Sequence, residues 1–164
     1  MLSTTLTLLK EHGACAEGYK TLAKALGRGY GKDTPIPLAR IVETNNLVDA
    51  LWTMQAVPPE QAVDRDRIER LLACDYAEHV LHLFEAKHPT DLRPRQAIEV
   101  ARRFAVGDAT QEELAAAGAA AWAAAWAAAG AAWAAEAAWA AAGDAGDAER
   151  EWQTARFVEA VNAG

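Results

Sequence analysis

Cysteine is nearly missing from this chain: Cys15 and Cys74 stand alone, far apart, and form no CxxC pair. That speaks against a disulfide framework and a zinc knuckle, and it predicts two free, buried thiols in a reducing, cytoplasmic setting. Clustered positive charge is missing as well. Binding to phosphates needs a basic face, and no run of Lys or Arg is large enough to make one, so direct nucleic-acid binding is not expected. The opening Met1-Leu2-Ser3-Thr4-Thr5 lacks a basic stretch followed by a long apolar one, so it does not read as a signal peptide. Period-two alternation of apolar and polar residues is missing too, which predicts an all-α chain.

Catalytic signatures are equally scarce. Glu78 precedes His79, so no HExxH motif is present. Gly27-Arg28-Gly29-Tyr30-Gly31-Lys32 has the glycines of a phosphate loop, but it follows a helix signal rather than a strand and lacks the Walker spacing. There is no nucleophile elbow and no carboxylate pair with an evident geometry. The expectation is a non-enzymatic protein that needs no cofactor.

What the chain does have is acidity, unevenly placed. Residues 1–62 hold six Lys/Arg and six Asp/Glu, whereas residues 63–164 hold ten and seventeen, so the whole net charge of -7 lies in the second part. Such a charge keeps a protein in solution and suits a basic protein partner.

Helix signals run through both parts. Ser3 or Thr4 is expected to cap a first helix carrying Leu6, Leu8 and Leu9. A second spans Ala14 to Leu26 and stops at Gly27. Residues 28–36 read as an exposed loop. A third helix starts at Pro37 and runs to about Glu43, Asn45-Asn46 breaks the chain, and a fourth covers Leu47 to Val57 with Leu47, Leu51 and Met54 inward. Pro58-Pro59 divides an N-terminal helical segment, 1–59, from an Ala-rich bundle, 60–164. That bundle opens with a helix from Asp64 to about Lys87, its core candidates being Ile68, Leu71, Leu72, Val80, Leu83 and Phe84. A turn at His88–Asp91 precedes a helix from Arg93-Pro94 to Val106, and Thr110-x-x-Glu113 is a capping box. The sum is a compact multi-helix bundle of about eight helices.

Residues 115–142 contain 21 Ala among 28 positions. Alanine has the highest helix propensity. Trp122, Trp126 and Trp133 fall within about 40° of one another at helical spacing. Trp139 lies off that stripe, and Glu136 sits at its edge. Alanine is barely apolar and the flanks are acidic, so a tightly packed central helix is expected here rather than a membrane span. Gly143-Asp144 should end it, with Asp147 capping a last helix through Trp152, Phe157, Val158 and Val161.

Two groups of residues stand out as candidate sites. Asp75, His79 and His82 are spaced i, i+4, i+7, which sends all three from one helix face, as metal ligands or as a plain polar face. For a partner, the exposed candidates are Arg28, Tyr30 and Lys32 in the first loop, Asp64 and Asp66 at the start of the fifth helix, and Glu149 and Glu151 in the last. Tyr30, between two glycines, could anchor in a partner pocket or fold back and pin its own loop.

The run Ala77-Glu78-His79-Val80-Leu81-His82-Leu83-Phe84-Glu85, then His88-Pro89-x-Asp91-x-Arg93-Pro94-Arg95-x-Ala97-Ile98-Glu99, then the Ala-rich helix, resembles a family of small Ala-rich helical immunity proteins, the immunity-protein-five-like family. Residues 9–26 are similar to the openings of phage and prophage proteins. The resemblance implies a protein-binding inhibitor. It would be a toxin immunity protein, or a phage-encoded inhibitor of a host defence system such as an anti-CRISPR protein. The partner would be a nuclease, toxin or defence complex with a basic surface. The alternatives are a metal protein or metal-dependent enzyme built on Asp75, His79 and His82, and a structural assembly protein that forms a homodimer through small-residue faces.

Overall fold

The computed structural model describes residues 1–132 and 143–163. Among the described residues the regular structure is helical apart from one ribbon of two two-residue strands. Its elements are β1 (Ser3–Thr4), α1 (Leu6–Glu11), α2 (Ala16–Leu26), β2 (Ile36–Pro37), α3 (Leu38–Thr44), α4 (Leu47–Thr53), α5 (Ala62–Glu85), α6 (Arg93–Ala105), α7 (Gln111–Ala132) and α8 (Gly143–Ala163). Short 3-10 turns at Met54–Ala56 and Pro59–Gln61 lead from α4 into α5. Trp133, Glu136 and Trp139 lie outside the described residues, as do the side chains of Trp122 and Trp126 and with them the expected Trp stripe. By contact the chain forms two compact units, one of residues 1–68 and 151–164 and the other of residues 69–150.

In the first unit the N-terminus does something the sequence did not suggest. Ser3 and Thr4 pair antiparallel with Pro37 and Ile36. Leu2 donates its N–H to the Val161 carbonyl at 2.9 Å, and its own carbonyl accepts from Leu38 at 3.1 Å. The Thr4 hydroxyl is buried and donates to the Ala56 carbonyl at 2.6 Å. With Ser3 and Thr4 extended in the ribbon, the cap of α1 is Thr5, whose hydroxyl accepts from the Leu8 N–H at 3.1 Å. Ile36, expected in an exposed loop, is completely buried because the ribbon carries it inward. On α4 the buried residues are Ala50 and Thr53, and Met54 just past its end is buried as expected, whereas Leu51 is 39% exposed. Phe157 and Val161, from the end of α8, have no exposed surface and belong to this unit's core.

The second unit is led by the helical hairpin of α5 and α6. Cys74, Glu78, Leu81 and Glu85 follow an i, i+4, i+7, i+11 pattern, within about 60° of one another on α5. Cys74 and Leu81 are buried, while Val80 and Leu83, which the apolar pattern placed in the core, are 40% and 60% exposed. The stripe that meets α6 mixes apolar residues with carboxylates, so hydrophobicity alone misplaces Val80 and Leu83, while Ile68 and Leu72 are buried as expected. α6 ends at a left-handed glycine, Gly107 (φ +86°), and packs along α7. The capping box is formed: Thr110 Oγ1 accepts from the Glu113 N–H at 3.2 Å, and Glu113 Oε2 accepts from the Thr110 N–H at 2.7 Å. Asp147 is no cap, because it lies inside α8, which opens at Gly143 among the described residues; the expected stop of the Ala-rich helix falls against residues 133–142, outside them. Among the described residues no helix is long and apolar enough to cross a membrane.

Candidate partner-binding surfaces

The charged turn and the hairpin it opens form one ionic seam. Arg95 grips Glu85 with both arms of its guanidinium, at 2.7 and 2.8 Å. One turn pair further along, Arg102 reaches Asp75 at 2.7 Å and Glu78 at 2.5 Å. The seven-residue step from Glu78 to Glu85 on α5 is matched by the step from Arg95 to Arg102 on α6, run in reverse, as antiparallel helices require. The Glu85 carboxyl is held below its ordinary range by the Arg95 hydrogen bonds. Next to Asp75, Cys74 donates its thiol toward the Ile98 carbonyl at 3.8 Å. Burial pushes that thiol's pKa up, with Arg102 opposing it, so it is held in the neutral form. Arg70 lies over the Phe104 ring, 4.7 Å from its centroid.

At the mouth of the hairpin, Asp91 accepts from the Arg93 side chain at 2.8 and 2.6 Å and from the Arg93 N–H at 3.2 Å. These bonds lower the Asp91 pKa to about 2. The arginines of Asp91-Leu92-Arg93-Pro94-Arg95 are thus occupied by carboxylates of the same unit. They act first as clasps of the turn.

Asp75, His79 and His82 share the face foreseen, and each has a bond elsewhere. Asp75 pairs with Arg102, His79 Nε2 lies 3.0 Å from Glu149 Oε2, and His82 Nδ1 donates to the His79 carbonyl at 3.0 Å. Among the described residues no group of three or more His, Cys, Asp or Glu is placed to hold a metal ion.

Residues 67–145 match the model of a family described as "Imm-5 like putative immunity protein". This segment is similar to those immunity proteins, and it contains the whole α5–α6 seam. No curated protein and no solved structure matches the chain.

The remaining partner candidates fall outside the immunity-like segment. Arg28 and Lys32 are exposed, and between them the Tyr30 N–H donates to the Gly27 carbonyl at 3.1 Å. Tyr30 is half-buried and donates its hydroxyl to the Pro35 carbonyl at 2.7 Å. Thr7 donates its hydroxyl to Asp33 at 2.6 Å and its N–H to the Lys32 carbonyl at 3.1 Å. Asp64 pairs with Arg67 at 3.3 Å and Asp66 with Arg65 at 2.6 Å, while Glu151 is exposed. Cys15, expected to be buried, is exposed instead: its Sγ caps α2 by accepting from the Gly18 N–H at 3.3 Å.

Sequence reasoning missed a cleft of roughly 150 Å³ within α1–α4. Its lining is chiefly Leu9, Leu22, Ile41, Val48 and Trp52, with Asn45 and Asp49 as its polar side. Gly18 lets that side close up, for a Cβ there would lie 3.0 Å from Asp49 Oδ2 and 3.1 Å from Cys15 Sγ. The tandem Asn45-Asn46 carried the signal. Asn46 caps α4 through the Asp49 N–H at 2.8 Å, and Asn45 donates to the Gly18 carbonyl at 3.0 Å.

Proposed function

We propose that the chain is a non-enzymatic inhibitor that binds and neutralises another protein, as an immunity protein does a toxin. The observation that carries this reading is the match of residues 67–145 to the immunity family. The charge supports it: the -7 net charge resides in residues 63–164, and an acidic helical surface complements a basic partner such as a nuclease.

Neutralisation is the direct test. The chain is co-expressed with a panel of toxin domains, nucleases first, and cell survival is scored. Rescue from at least one toxin, with a complex that co-elutes on gel filtration, is expected; no rescue across the panel counts against immunity. The finer alternative, a phage-encoded inhibitor of a host defence such as a CRISPR complex, is favoured only by the likeness of residues 9–26. It predicts restored phage plating on a defended host that expresses the chain.

A further inference from the structure

The cleft within α1–α4 has apolar walls and one charged end. Leu9, Leu22 and Ile41 are buried at its base. Its lip is open: Val48 is 74% exposed. Asn45 Nδ2 donates both to the Gly18 carbonyl at 3.0 Å and to Asp49 Oδ2 at 2.8 Å. The amide is thereby fixed, and it orients the carboxylate without neutralising it. No Lys, Arg or His ion pair reaches Asp49 among the described residues.

A half-buried carboxylate at the edge of apolar surface is complemented best by a cation that brings its own apolar stem. Arginine has that form. Its methylene stem suits the exposed Val48 side chain, its fork can bond a carboxylate twice, and its flat face stacks on an indole such as Trp52. Arginine is also common among the few residues that dominate binding energy at interfaces.

We infer that the α1–α4 cleft seats an arginine side chain of the protein partner, the stem on Val48 and Trp52 and the guanidinium on Asp49. This rests on the reading that the chain binds a basic protein, and it supplies a contact outside the immunity-like segment.

The test is an NMR titration of the full chain with the peptide acetyl-Gly-Arg-Gly-amide, beside its norleucine analogue and free n-butylguanidinium. The arginine peptide should give saturable shifts at the Asn45 side-chain amide and the Trp52 indole. It should bind about fivefold or more tightly than the norleucine peptide. Asp49→Asn should abolish that preference. The comparison of the two peptides uses the unaltered protein, so it stands even if the variant misfolds. Equal affinity for both peptides would mean an apolar occupant and overturns the proposal. So does tighter binding of n-butylguanidinium, which would mark a small-molecule site. Shifts at these residues on concentrating the chain alone would mean a second copy sits there, and overturn it likewise; so would the absence of saturable shifts. No toxin enters the experiment, so its failure leaves the neutralisation reading to be judged by its own assay.

Discussion

Arg93 holds Asp91 with three hydrogen bonds, two from its guanidinium and one from its backbone. The aspartate's pKa is lowered to about 2 in the folded chain, against ~3.9 for a free side chain. The sign follows from which state binds protons more readily. The unfolded chain does, so the pairing contributes fully above about pH 4 and is lost as pH falls through about 2. NMR titration of the Asp91 carboxyl should show a midpoint near 2, rising toward ~3.9 in Arg93→Gln. Tyr30 offers a second single-residue test. Its hydroxyl bond to Pro35 favours the loop pin over the mobile anchor, although the ring itself is only half-buried. Tyr30→Phe should cost about 0.5–1 kcal/mol, which is about 1–4 °C in Tm for a chain of this size. An unchanged Tm with weakened partner binding would reverse that assignment.

Elements are set by their ends and by the faces they share. Removing the hydroxyl of the capping box with Thr110→Ala should cost about 1 kcal/mol, read by urea unfolding. The ribbon is the more demanding case. Thr4→Val keeps the shape but leaves the buried Ala56 carbonyl without its 2.6 Å donor, and a loss of about 1–3 kcal/mol is expected. In the α5–α6 hairpin, Glu78, Glu85, Asp91, Arg93 and Arg95 build the seam and the turn.

At the scale of the molecule, chain order and spatial grouping part company. Residues 151–164 join residues 1–68 in one unit, through Phe157 and Val161 and the Leu2–Val161 hydrogen bond. Phe157→Ala should therefore cost about 3–5 kcal/mol. Hydrogen exchange should register the loss as faster exchange in α1–α4, far away in sequence. A loss of protection confined to α8 would contradict that placement.

The sequence by itself determined the helical class, the stop at Gly27, the capping box at Thr110 and the immunity-like character of the stretch from Ala77 onward. Each is written in local terms: propensity, a glycine that can take positive φ, a cap three residues from its partner, a run of matching residues. Local terms could not say that Ser3 and Thr4 would pair with Pro37 and Ile36, because a two-residue ribbon has no periodicity to read. They could not choose Leu81 over Val80 and Leu83 either, since the hairpin face is fixed partly by ion pairs between residues 78 and 102 and between 85 and 95. Nor could they show the cleft. Gly18 meets Asn45 and Asp49 only when α2 packs on α3 and α4, and long-range packing decides that meeting, because nothing local to Gly18 specifies either residue as its neighbour.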